Sequence, residues 1–183
     1  MVITLNMKYI FTGRPIICLL SIVILLLPSI PVFADASVLR DVEGNERSIN
    51  DYLKKGKWLV VMVWASDCFI CNKEAKHYVD LHNRRKNKDL EILGLSIDGW
   101  SNKADAIQFI KRHSITFPNL IGENVYISEL YTKLSGQFLA GTPAFLVFDQ
   151  SGELLAVQIG AVPVSSIEQF IKDHNQKTKN RNE

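Results

Sequence analysis

Trp58-Leu59-Val60-Val61-Met62-Val63-Trp64-Ala65-Ser66-Asp67-Cys68-Phe69-Ile70-Cys71 is the stretch that decides the fold. Its first seven residues are all apolar, the pattern of a strand buried on both faces. A short turn follows, then two cysteines at the start of a helical pattern that runs to about Arg85. Ala75, Tyr78, Val79 and His82 line one side of that helix. Two thiols therefore lie one helical turn apart, where a buried strand hands over to a helix. A bridge closing so short a loop removes little chain entropy, so stapling explains the pair poorly. Opening and closing during disulfide exchange explains it better.

Upstream, Val38 to Val42, the turn Glu43-Gly44-Asn45 and Arg47 to Ile49 predict a small leading hairpin. Ser48 to Asp51 resembles a capping box for a short helix to Lys55. Downstream, Leu90 to Ile97 reads as the next strand. Ala104, Ile107, Phe109 and Ile110 mark a helix ending near His113, and Ile115-Thr116-Phe117-Pro118 breaks the pattern. Tyr126 to Leu134 has helical spacing, Ala144 to Phe148 is a strand, and Glu153 to Ile159 returns after a turn. Ser165 to Glu168 reads as the capping box of a closing helix through about Asp173. Strands alternating with helices and ending in a hairpin predict an α/β domain. Its central mixed β-sheet is flanked by helices and carries an N-terminal β-hairpin extension.

The chain has 183 residues. Residues 1–34 read as an export signal: Lys8 and Arg14, an apolar stretch from Ile16 to Leu27, then Val32-Phe33-Ala34 before a cleavage point. Cleavage after Ala36 is an alternative, and an uncleaved membrane anchor is another. The apolar stretch is shorter than the roughly 20 residues of a spanning helix. Cys18 lies inside it and is expected to be absent from the mature protein, leaving Cys68 and Cys71 alone. Cleavage removes two of 21 basic residues against 19 acids, so the mature chain is formally neutral. No electrostatic case exists for nucleic acid, and membrane contact is expected only through the first segment if it is retained. Residues 35–175 are expected to form one domain. Residues 176–183 lack large apolar side chains and are expected to be a flexible tail.

The segment Trp64-Ala65-Ser66-Asp67-Cys68-Phe69-Ile70-Cys71-Asn72-Lys73-Glu74 resembles the active-site segment of the thioredoxin superfamily. It is most similar to the exported TlpA/ResA/DsbE-like branch. Gly94-Leu95-Ser96-Ile97-Asp98, Thr116-Phe117-Pro118 and the run from Gly141 to Gly152 fit that branch too. The likeness spans about residues 37 to 174. It implies a thioredoxin fold in which Pro143 is cis and lies beside the cysteines. It also implies that the backbone at Thr142 pairs with an extended substrate segment, orienting the substrate sulfur.

Helix N-termini favour a thiolate, which makes Cys68 the expected nucleophile and Cys71 the resolving thiol. The redox-active pair itself is the expected prosthetic group, with no other cofactor and no metal. His77 and His82 lie too far along the helix to complete a zinc site with the cysteines, and His113 and His174 read as surface residues. Several neighbours depart from the family pattern and are candidates for tuning the pair. Asp67 stands where many relatives carry an aromatic residue. It would cap the helix, and its charge would oppose the Cys68 thiolate. Met62 stands where thioredoxin has a buried aspartate. Phe69 and Ile70 form an apolar intervening pair, read either as a docking patch or as packing. Glu74 matches a branch glutamate and reads either as a proton relay or as an ordinary helical residue, and Trp64 closes the strand.

These features imply an extracytoplasmic, periplasmic or similarly exported thiol–disulfide oxidoreductase. Its expected direction is reduction of protein disulfides, with cytochrome c maturation as the family precedent and a membrane electron-donor protein as the recharging partner. The alternatives are a disulfide oxidase or isomerase and a non-catalytic binding or chaperone module. A peroxiredoxin would want a threonine at the position of Ala65.

Overall fold

The long apolar strand sits in the middle of the sheet because nothing in it can face water. In the computed structural model, which describes residues 38–53 and 56–182, β3 (Trp58–Trp64) is buried along its whole length. It pairs in parallel with β4 (Leu90–Ser96) and antiparallel with β6 (Ala144–Phe148). β5 (Asn119–Ile121) extends the sheet beyond β4 in parallel. The leading hairpin, β1 (Leu39–Asp41) and β2 (Glu46–Arg47), adds antiparallel to β5. β7 (Leu154–Ile159) closes the opposite edge, giving the order β2-β1-β5-β4-β3-β6-β7.

Alternation along the strands divides the core into two layers. Trp58, Val60, Met62 and Trp64 pack with Phe145 and Val147 beneath three helices. These are α1 (Phe69–Arg85), α2 (Lys103–Arg112) and α4 (Val164–Asn182). Leu59, Val61 and Val63 face the other way. They pack on Ile127 and Tyr131 of α3 (Asn124–Ser135) and on Ile49 of a short 3-10 helix, Ile49–Tyr52. Each such side chain removed from water contributes about 1.5–3 kcal/mol, so the central strands anchor everything attached to their ends. Gly94 has a specific reason to be glycine. A Cβ there would overlap the side-chain oxygen Oδ1 of Asn119 and lie 2.8 Å from Trp64 Nε1.

Four readings of the sequence change here. The strand β5 was not anticipated: the Pro118 break is followed by three buried residues, too short a run to show periodicity. The closing helix begins at Val164, with the Pro163 carbonyl accepting from the Ser166 N–H, so Ser165 lies inside the helix and is not its cap. Glu168 pairs instead with Arg84 of α1, at 3.2 Å. The same helix continues to Asn182, so residues 176–182 are helical where a flexible tail was expected. The capping box at Ser48 and Asp51 is present, but it opens a 3-10 turn ending at Tyr52. The expected export signal, its cleavage points and Cys18 lie outside the described residues. Among the described residues no helix is long and apolar enough to cross a membrane.

Candidate active site

Cys68 and Cys71 are joined in a disulfide with Cα atoms 5.2 Å apart. β3 ends at Trp64, and the chain turns through Ala65-Ser66-Asp67, with the Cys68 N–H donating to the Ala65 carbonyl at 3.2 Å. Cys68 itself is the N-cap of α1. Its backbone is extended (φ −69, ψ 111), and its sulfur accepts from the Cys71 N–H at 3.1 Å. Asp67 therefore does not cap the helix, because the residue whose side chain reaches the first-turn N–H is Cys68. Asp67 lies one position outside, exposed in the turn.

The bridge has a wet end and a dry end. Cys68 is partly exposed, and its sulfur lies 3.4 Å from the Thr142 carbonyl oxygen, a contact that a thiol could use as donor after reduction. Cys71 is fully buried and belongs to the apolar layer that includes Met62, Trp64, Ala75 and Tyr78. The Thr142–Pro143 peptide bond is cis. Pro143 is buried, and its carbonyl accepts from the Gly160 N–H at 2.8 Å, tying the loop to the end of β7.

The candidate tuning residues fall into distinct surroundings. Phe69 is 67% exposed and Ile70 38% exposed, and the Lys73 ammonium lies 4.5 Å from the Phe69 ring centroid. An apolar surface therefore borders the partly exposed sulfur. Trp64 is buried: its indole N–H donates to Asn119 Oδ1 at 3.1 Å, and its ring stacks on Phe109 at 4.2 Å. Trp64 thus supports the site from beneath and does not face a substrate. Glu74 is half-buried on α1, one turn before Tyr78. Burial, with a smaller contribution from the Glu74 charge, holds the Tyr78 phenol well above its usual range. The Tyr78 hydroxyl donates to the Val162 carbonyl.

A polar web encloses the turn before Cys68, built from residues whose roles the sequence pattern does not reveal. The Asp98 carboxylate accepts from the Ser66 N–H at 3.0 Å, the Ser66 hydroxyl at 2.8 Å and the Ser96 hydroxyl at 2.6 Å. The Asn72 side-chain amide donates to the Ser66 carbonyl at 3.1 Å and the Cys68 carbonyl at 2.9 Å. Its carbonyl oxygen lies 2.9 Å from His113 Nε2 and accepts from Arg112 at 3.2 Å. His113, read from the sequence as a surface residue, is half-buried against Phe109, and desolvation followed by Arg112 lowers its pKa. The only hint in the sequence was position: Asn72 directly after Cys71, and Ser96 and Asp98 at the end of β4.

His82 and His174 are structural, and His77 is exposed. His82 is buried, and its Nδ1 accepts from the Ile92 N–H at 3.3 Å. His174 packs edge-on against Trp58. Among the described residues no cluster of three or more His, Cys, Asp or Glu is assembled to hold a metal.

Comparison with known proteins agrees with this geometry. A family model described as AhpC/TSA family matches residues 31–157. A thiol-disulfide oxidoreductase ResA of Oceanobacillus iheyensis is 26% identical over 143 residues, covering 78% of this chain and 69% of that protein. A ResA of Bacillus cereus is 26% identical over 136 residues, covering 74% and 72%. Among solved structures, the thioredoxin domain of a thiol-disulfide oxidoreductase from Bacteroides vulgatus superposes with a TM-score of 0.59 at 24% identity, over 75% of this chain and 98% of that one. StoA from Bacillus subtilis gives 0.54 at 20% identity, over 72% and 92%. The architecture is the thioredoxin fold.

Proposed function

The chain belongs to the AhpC/TSA family and is a thiol–disulfide oxidoreductase, and on that footing we propose that Cys68 and Cys71 reduce disulfides of exported proteins outside the cytoplasm. The observation that carries the division of labour is the asymmetry of one bridge. Cys68 is reachable from solvent, whereas Cys71 is fully buried. In the reduced protein the Cys71 N–H and the start of α1 favour a thiolate at Cys68.

The Cys68 thiolate attacks one sulfur of the substrate disulfide. The substrate S–S bond breaks, one substrate thiolate leaves with the electron pair and takes up a proton, and a mixed disulfide forms. Cys71, deprotonated, then attacks the Cys68 sulfur. The mixed disulfide breaks, the second substrate thiol leaves, and the Cys68–Cys71 bridge is restored. The substrate has gained two electrons and the protein has lost two. A dithiol on a membrane electron-donor protein is the class of reagent that returns them. The Thr142 carbonyl beside the Cys68 sulfur supports strand-like docking of the substrate, and the exposed Phe69 and Ile70 supply an apolar rim. The resemblance to the exported TlpA/ResA/DsbE-like branch makes apocytochrome c cysteine pairs the first substrate to try.

A Cys71→Ser variant expressed in the native compartment tests the reading. It is expected to accumulate mixed disulfides through Cys68, and Cys68→Ser is expected to accumulate none. The wild-type pair is expected to be mostly dithiol in the cell. A pair found mostly as disulfide, with trapped partners that are newly exported and fully reduced, would make the protein an oxidant. No trapping in either variant would leave a binding module.

A further inference from the structure

Cysteine is a poor helix cap when its sulfur is tied up in a disulfide, because the preferred capping atoms are side-chain oxygens. The first turn of α1 nevertheless has to hold the Cys68 sulfur over the Cys71 N–H, since that N–H stabilises the thiolate released on reduction. Something other than Cys68 must fix the backbone there. Asn72 does so with both hydrogens of its amide. One goes to the Cys68 carbonyl, which also accepts the Asn72 backbone N–H at 3.0 Å, and one goes to the Ser66 carbonyl two residues upstream.

The orientation of that amide is not arbitrary. Two carbonyls can only be met by the NH2 side, so the Asn72 oxygen must be the acceptor on the other side. His113 Nε2 at 2.9 Å and Arg112 at 3.2 Å must then both be donors. His113 accordingly carries its proton on Nε2. Protonating its Nδ1 leaves the contact in place, so the hold is not a pH switch. Two donors on the Asn72 oxygen, one of them cationic, polarise the amide and strengthen its hydrogen bonds to the turn. The end of α2, 40 residues along the chain, is thereby connected to the backbone of the attacking cysteine.

We propose that Asn72, clamped by Arg112 and His113, is a positioning residue for disulfide exchange: it fixes the Ser66 and Cys68 carbonyls and so keeps the Cys68 sulfur over the Cys71 N–H. The proposal rests on the reading of Cys68 as the attacking thiol. Losing the hold costs the reduced, thiolate-bearing form more than the disulfide form, in which the bridge itself restrains the turn. The pair then becomes harder to reduce and Cys68 less reactive at a given pH.

The test uses the full-length protein, equilibrated with glutathione buffers, in Asn72→Leu, His113→Phe and the double variant. Leucine keeps the volume of Asn72 without its hydrogen bonds, and phenylalanine keeps the packing on Phe109 without the donor. Asn72→Leu is expected to shift the exchange equilibrium about tenfold toward the disulfide, a potential about 30 mV more negative. The pH at which Cys68 becomes half-maximally reactive toward iodoacetamide should rise with it. His113→Phe should move both quantities the same way by less. The double variant should match Asn72→Leu alone, because His113 acts through Asn72. An unchanged potential in Asn72→Leu, or additive shifts in the double variant, overturns the inference. Wild-type protein that fails to exchange with glutathione at all would instead overturn the exchange reading on which it rests.

Discussion

Cys68 and Cys71 are three residues apart on one turn of helix, yet their surroundings have little in common. Around Cys68 the backbone is held by a hydrogen bond from Ser66 to Asp98, just past β4, and by hydrogen bonds from Asn72 in the first turn of α1, with His113 and Arg112 behind Asn72. Around Cys71 the contacts are apolar and close-packed, resting on Trp64 and Phe109. The contrast teaches how one motif obtains two different sulfurs. A polar, directional frame positions the attacking atom, while a dry floor keeps the resolving atom from water and competing thiols until a mixed disulfide forms beside it.

Each half of the contrast can be broken separately. The largest effect is expected from the floor. In Gly94→Ala the new methyl group collides with the Asn119 side chain and crowds Trp64 Nε1. That must disturb the Trp64–Asn119 hydrogen bond, and overpacking of this kind costs about 1–3 kcal/mol or more. Urea denaturation should show the loss, and reduced protein should gain labelling at Cys71 on brief alkylation; a stability within error of wild type would mean that the floor is softer than its packing implies.

Breaking the frame should cost less stability but more function per unit of stability lost. Asp98→Ala leaves the Ser66 N–H and two hydroxyls without their acceptor, a penalty of about 1–3 kcal/mol if water does not replace it. Turnover in dithiothreitol-driven insulin reduction should fall while the burial of Cys71, read by alkylation, stays as it was. Equal loss of protection at both cysteines would show that frame and floor are one unit.

The smallest effect is a pH dependence at the far end of α1. Burial, and secondarily Lys86, holds the His82 imidazole below its ordinary value. Near pH 6.5 the unfolded chain takes up a proton that the folded protein refuses, so stability is full above about that pH and declines as pH falls through it. His113 is shifted in the same direction. The lowered carboxylates, Asp41, Asp89 and Asp149, lose their contribution only below about pH 4, in a separate window. Denaturation midpoints should therefore drop between about pH 7.5 and 5.5, less so in His82→Gln. A flat wild-type profile over that range would contradict the cause assigned to the shift.

Much of this molecule is legible in its sequence, where the signal is periodic or local. Seven apolar residues in a row declared a strand buried on both faces, and β3 lies at the centre of the sheet. The CxxC spacing after it put both sulfurs on one turn, and they are bridged. What was misread lay at boundaries and caps. Asp67 is a better capping residue than cysteine by general preference, but the turn places Cys68 at the position from which a side chain reaches the Cys71 N–H. Ser165 was displaced from its capping role by Pro163. β5 is too short for its pattern to be seen.

The amino-acid sequence by itself determined the order of the longer elements, the handover from buried strand to helix and the chemistry of two thiols at its junction. Those follow from hydrophobic period and residue type, which any short window displays. Only the tertiary structure decided what holds the turn. It brought Asp98 to Ser66, Asn72 to His113 and the Thr142 carbonyl to the Cys68 sulfur. Those groups are 32, 41 and 74 residues apart in sequence. A hydrogen bond between distant segments leaves no periodic trace. It exists because the sheet brings the ends of β3, β4 and β6 to one edge.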